Sequence, residues 1–164
     1  MSAASRYDEL IALLDGHQAA YRVLTHAAEG RTDIVSAMRG NPIDHAAKCI
    51  IVMVKVGKKT TRHVLAVVPG GSRVDLAQVK KVLGGTYAAF ASPNVAEELA
   101  GSVLGTVLPF AFDERLELIV DPSLFAAPEL FFNAGCLDRS VALKTEDYRR
   151  VAVPRVEHIA QQSS

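Results

Sequence analysis

An excess of charge of one sign is missing from this chain. Eighteen lysines and arginines face eighteen aspartates and glutamates over 164 residues, a formal net charge of zero. Bulk charge therefore names no polyanionic partner, and any nucleic-acid contact has to come from a local cluster of Lys and Arg. Cysteine is scarce: Cys49 and Cys136 are far apart, without a second pair or a Cys-x-x-Cys spacing. That excludes a disulfide framework and a zinc knuckle, and makes a reducing cytoplasm the expected setting. No apolar run reaches the ~18 residues of a membrane span, and the first eight residues lack the basic start and apolar stretch of a secretory signal. No membrane partner is expected. Also absent are Gly-x-x-x-x-Gly-Lys-Ser/Thr, Gly-x-Gly-x-x-Gly, Gly-x-Ser-x-Gly and His-Glu-x-x-His, the usual marks of nucleotide hydrolysis, hydride transfer, serine esterases and zinc proteases. The five histidines, His17, His26, His45, His63 and His158, form no i, i+4 pair, so neither a metal nor a cofactor is expected.

What is present is an ordinary globular balance, 49% hydrophobic and 22% charged, in a length that suits one domain over 1–164. The apolar positions Leu10, Ile11, Leu13 and Leu14 predict a helix from Ser5, as cap, to Gly16. Residues 21–26 predict a short strand. Thr32 and Asp33 predict the start of a second helix, which stops at Gly40-Asn41-Pro42. The β-branched run Lys48-Cys-Ile-Ile-Val-Met-Val-Lys-Val56 predicts a central strand covered on both faces, turning at Gly57-Lys58-Lys59 into a hairpin that ends at Pro69-Gly70-Gly71. Helices are expected over 75–83 and 94–100, the latter opened by Ser92-Pro93 and closed by Gly101. Three short strands (116–121, 129–133, 140–143) and a helix over 145–152 follow. Residues 155–164 are expected to fray. Mixed rather than alternating elements predict an α+β fold, one curved and largely antiparallel mixed sheet flanked by helices.

The stretch Gly101-Ser-Val-Leu-Gly105-Thr-Val-Leu-Pro109-Phe110 reads as a binding loop: glycine lets backbone amides and carbonyls approach a ligand, and proline stiffens the segment that presents them. It belongs to an ordered set: His26, Thr32, Gly40-Asn41-Pro42, Ala47-Lys48-Cys49-Ile50-Ile51-Val52, Gly105 to Phe110, and Asn133-Ala134-Gly135. In that order and spacing, over residues 5–152, the chain resembles the YbaK family, freestanding relatives of the editing domain inserted in bacterial prolyl-tRNA synthetases.

The resemblance implies an aminoacyl-tRNA deacylase that hydrolyses the ester between a wrong, small amino acid and the terminal adenosine of a tRNA, foremost a proline tRNA. It implies Lys48 as the principal functional side chain, with Gly105, Thr106, Val107, Leu108 and Pro109 gripping the aminoacyl end and His26 and Thr32 as further substrate contacts. The chemistry agrees, since an activated ester needs positioning and charge stabilisation more than a protein nucleophile. Thr32 is equally explained as a helix cap. Met38, Ile50 and Phe110 suit an apolar side-chain pocket or simple core packing. The chain departs from the family pattern at Cys49, where Thr or Ser is common, and in Phe131 to Arg139, which holds no late histidine. The amino acid accordingly stays open among alanine, 2-aminobutyrate, serine, threonine and cysteine. Two basic clusters are expected to meet the tRNA backbone: Lys55, Lys58, Lys59 and Arg62 at the hairpin, and Arg73, Lys80 and Lys81 beyond it. The mischarged acceptor end is the expected partner, DNA is not, and a prolyl-tRNA synthetase is left open as the presenting partner. The alternatives are a non-hydrolytic module that binds aminoacyl-tRNA or a synthetase, and a thiol role for Cys49 or Cys136, which an apolar strand disfavours.

Overall fold

The run of β-branched residues that opens at Ala47 organises the molecule. A computed structural model describes residues 5–162. In it β2 (Ala47–Val56) lies between β3 (Thr60–Pro69) and β5 (Tyr87–Phe90), antiparallel to both. Beyond β3, β6 (Leu116–Val120) and β9 (Arg155–Val156) add in parallel, giving a five-stranded sheet in the order β5-β2-β3-β6-β9.

Strand periodicity sends alternate residues of β2 to opposite faces, and here both faces are covered. Ala47 and Ile51 join Leu65, Val67 and Val120 in one core with α1 (Arg6–Gly16) and α4 (Pro93–Ala100). Val52 and Val54 join Val64, Ala66, Val68 and Ile119 in a second core under α3 (Leu76–Val82). Two-sided burial is why β2 reads as an almost unbroken apolar run.

A second, antiparallel sheet orders β1-β8-β7 from β1 (Tyr21–Thr25), β7 (Glu129–Asn133) and β8 (Arg139–Lys144). A single bridge between Ala46 and Phe131 ties it to the mouth of β2. α2 (Thr32–Arg39) crosses near that junction, and α5 (Thr145–Ala152) follows β8. Tyr148 of α5 is fully buried and donates its hydroxyl to the Pro109 carbonyl at 2.7 Å, while its ring meets Phe110 edge-on at 5.2 Å.

The α+β class and the predominance of antiparallel pairing are as expected, but the strands fall into separate sheets rather than one. Two short strands escaped the sequence: β5, and β4 (Ser72–Val74) just after the Gly70-Gly71 turn. The expectation of a frayed tail is also corrected for 155–162. β9 adds to β6, and β10 (Ala160–Gln162) pairs antiparallel with β4. Ile159 between them is fully buried, and its N–H and that of Ala160 both donate to Asp121 Oδ1 at 2.8 Å. The anchor is thus a buried carboxylate distant in sequence, invisible to local patterning. Residues 163 and 164 lie outside those described.

Candidate functional site

The junction between the two sheets leaves an open cavity of about 440 Å³. Its walls are the start of β2 (Ala46 to Ile50), Gly30 to Val35 entering α2, Arg39 at that helix's end, Phe131 to Asn133 of β7, and Gly105 with Val107. Of the residues singled out by sequence, Lys48, Thr32, Gly105 and Val107 converge here.

Lys48 is the second residue of β2, opposite Val68. It is half-buried and, among the described residues, has neither a carboxylate nor a hydrogen-bond partner. Burial pulls its pKa below the ordinary lysine value, and the positive charge of Arg73 on β4 adds to the shift. Next to it, burial pushes the Cys49 thiol up, which keeps the sulfur a thiol and speaks against a redox role.

The Gly105 loop approaches from the opposite side. Gly105 has φ +88°, and a Cβ there would stand 2.9 Å from the Cα of Gly30, so only glycine allows the two loops to meet. Its carbonyl accepts from Asn133 Nδ2 at 2.9 Å, and the same amide nitrogen donates to the Glu29 carbonyl at 2.8 Å. Asn133 therefore clamps both loops. The N–H groups of Gly105 and Val107 have no acceptor among the described residues. The other loop positions face inward: Thr106 is 1% exposed and donates its hydroxyl to the Val103 carbonyl at 2.6 Å, Leu108 belongs to the core, and Pro109 is held by Tyr148. Those three support the loop from behind and do not line the cavity.

His26 does not line the cavity either. Its Nε2 lies 2.7 Å from Ser140 Oγ and its Nδ1 2.8 Å from the Ala27 carbonyl. Ser140 Oγ donates to Asn133 Oδ1 at 3.0 Å, so His26 bears on the site through two intermediates. Thr32 does face the cavity, and it is not a side-chain cap: α2 has Arg31 at its cap position without a capping bond. Instead the Glu29 carboxylate accepts from the Gly30 and Arg31 N–H groups at 3.1 and 2.9 Å. Ile50 lines the cavity, Phe110 packs in the core, and Met38 is exposed.

Arg39 is the residue that sequence reasoning passed over. A basic residue in the last turn of a helix ordinarily answers the helix dipole in solvent, and nothing local distinguishes this one. In the fold its guanidinium is half-buried above the Phe131 ring, 6.0 Å from the centroid. It donates to three neutral oxygens, of Asn41 (2.9 Å), Ser140 (3.1 Å) and Ser36 (3.2 Å). No carboxylate pairs with it among the described residues, and burial brings its pKa down to about 10. The exposed Arg31 and Asp33 at the rim pair with each other at 3.1 Å. Lys48 and Arg39 thus remain as two uncompensated cations on the cavity wall.

The proposed tRNA contacts spread over the surface. Arg73 is exposed beside Lys48. Lys58 and Lys59 sit exposed at the β2–β3 turn, as does Lys55 below it, with its ammonium 5.9 Å over the Tyr87 ring. Lys55 lies seven positions along β2 from Lys48, about 23 Å in an extended strand. Arg62 differs, because the Glu117 carboxylate takes its guanidinium bidentately. Lys80 and Lys81 lie on α3, over the second core. Among the described residues no His, Cys, Asp and Glu cluster suits a metal, and no helix is long and apolar enough to cross a membrane.

Residues 28–151 match the profile of the family described as the aminoacyl-tRNA editing domain. The chain is 43% identical over 151 residues, 92% of its length and 90% of the relative's, to the multifunctional Ser/Thr-tRNA deacylase ProXp-y of Escherichia coli K12. Among solved structures it resembles a hypothetical protein with TM-score 0.83 at 18% identity, covering 93% of this chain and 99% of that one. It also resembles a candidate trans-editing enzyme for prolyl-tRNA synthetase, with TM-score 0.78 at 20% identity, covering 98% and 99%.

Proposed function

From the premise that this chain belongs to the aminoacyl-tRNA editing domain family, we propose that the cavity around Lys48 holds the aminoacyl end of a mischarged tRNA carrying serine or threonine. The protein is an aminoacyl-tRNA deacylase. Water attacks the ester carbonyl carbon, charge gathers on the carbonyl oxygen, and the bond to the terminal ribose oxygen breaks, releasing the amino acid and an uncharged tRNA.

The observation that carries the site assignment is the Lys48 ammonium, half-buried and without an ion-pair partner among the described residues, on the wall of the cavity that also receives Gly105 and Thr32. A cation in a partly desolvated site acts on developing charge far more strongly than in water. With Arg73 beside it, Lys48 holds the terminal phosphate and the ribose edge. The free N–H groups of Gly105 and Val107 supply donors for the oxyanion, and the Asn133 clamp fixes them before substrate arrives. No side chain is needed as nucleophile.

The choice of serine and threonine rests on the printed activity of the 43% identical relative, and agrees with a wall in which Thr32, Arg39 and Asn133 interrupt apolar side chains. Deacylation of serine, threonine, alanine and proline, each mounted on proline, serine and threonine tRNAs, tests it. Fast loss of serine and threonine from any of these tRNAs is expected. Preference for alanine on proline tRNA alone would overturn the serine and threonine assignment in favour of another of the small amino acids the sequence left open. Binding of the charged tRNAs without turnover would make the protein a recognition module.

A further inference from the structure

We propose that Arg39 is the residue that selects the amino acid, by donating hydrogen bonds to the side-chain hydroxyl of serine or threonine at the inner wall of the cavity. The inference rests on the deacylase reading above.

A guanidinium carries five N–H donors. In Arg39 the Nε–H goes to Asn41, one Nη1–H to Ser140 and one Nη2–H to Ser36. One N–H on each terminal nitrogen is left without a partner among the described residues. The group cannot turn to seek one elsewhere, since those three bonds and the Phe131 ring hold its plane. The same wall carries the apolar side chains of Val35, Val107, Phe131 and Phe132, with Thr32 and Asn133 between them, and among the described residues none of these side chains accepts from the two free N–H groups. A donor pair on a half-buried guanidinium, held at the cavity wall, is incompletely satisfied until a ligand brings an oxygen.

Discrimination follows from that asymmetry. An apolar pocket separates serine from alanine weakly, whereas a site built to bond a hydroxyl rejects the analogue lacking it by far larger factors. Alanine or 2-aminobutyrate would leave the two N–H groups desolvated and empty; serine and threonine fill them. The Ser140 hydroxyl links Arg39 to Asn133 and so to Gly105, which places the selecting group and the loop that holds the ester on one hydrogen-bonded frame.

The test compares kcat/KM for seryl-, threonyl- and alanyl-tRNA, all on one tRNA body, in the wild type, Arg39→Met and Arg39→Lys. The expected wild-type preference for serine over alanine is at least 100-fold, and in Arg39→Met the serine and threonine rates fall at least 30-fold more than the alanine rate. Arg39→Lys, which keeps the charge but loses the fork, is expected in between, and decides the matter if the methionine variant melts below the assay temperature. An equal fall on all three substrates would overturn the proposal and make Arg39 a general contact to the tRNA end. An unchanged ratio would overturn it as well. Absence of hydrolysis of every substrate by the wild type would instead bring down the deacylase reading, and the proposal with it.

Discussion

Lys48 and Arg39 line the cavity as cations without a counter-ion among the described residues, and this makes them a poor bargain for stability alone. For Lys48 the sign is explicit. Burial and Arg73 lower its folded pKa, so its charge opposes folding at all pH values below that lowered value, and the penalty disappears above the ordinary lysine pKa. Lys48→Met is therefore expected to match or exceed the wild type in urea midpoint at pH 7 while deacylation falls by about 100-fold or more, the scale of losing one preorganised charge or donor. A stability loss comparable to that of a core substitution would assign Lys48 to the architecture instead. The same shift gives a pH signature: the Lys48-dependent part of kcat/KM drops as pH rises through a pKa below that of ordinary lysine, and in Lys48→Arg that alkaline limb is expected to move out of range. Asn133 acts by holding carbonyls of two loops, so Asn133→Ala should lower kcat more than it raises KM; a change confined to KM would place it in direct substrate binding.

At the level of elements, the Gly105 loop and the C-terminal strands carry separate predictions. Gly105→Ala forces a Cβ into a left-handed backbone and against Gly30, at about 1–2 kcal/mol for the conformation alone, and should cut both melting temperature and turnover. A fully active, equally stable variant would show that the loops need not touch. Asp121 is 4% exposed. Burial by itself would push its carboxyl up, but hydrogen bonds from Ser123, Ala160 and Ile159 outweigh this and leave it below the ordinary value. The stability it adds is complete above the unfolded carboxyl pKa and is lost as pH falls through the lowered folded one. Asp121→Ala, which strands those donors, should cost roughly 3 kcal/mol at pH 7 and much less in strong acid, measured by urea melts; equal losses at both pH values would contradict it. These elements also mark what the sequence could disclose. The Ser5 and Ser92 caps, the two-faced β2 and the Gly40 and Gly101 stops are local signals, and each predicted element stands where those signals placed it. The tail's anchoring to Asp121, the Ser140 contact that holds Arg39, the hold of Tyr148 on Pro109 and the indirect position of His26 are set by partners 38 to 114 residues away. Spacing along a chain carries no information about such partners, though Lys48, Thr32, Gly105 and Val107, picked out through the family resemblance, do line one cavity.

For the whole molecule, zero net charge means that tRNA affinity must come from placement. Arg73 beside Lys48 and the exposed Lys58 and Lys59 have no ion-pair partner among the described residues, whereas Arg62 is occupied by Glu117. Replacing Lys58 and Lys59 by alanine is expected to lower the slope of log K against log salt by about 1.5–2, in proportion to two lost phosphate contacts, while Arg62→Ala changes it little. Equal slopes in all three proteins would take the hairpin out of the interface. The central claim is that an unpaired, half-buried lysine drives ester hydrolysis, and single-turnover deacylation of seryl-tRNA by wild type and Lys48→Ala tests it most directly. The account predicts rapid release of serine by the wild type and a rate near the buffer background for the variant, with tRNA binding largely kept; equal rates in the two proteins would contradict it.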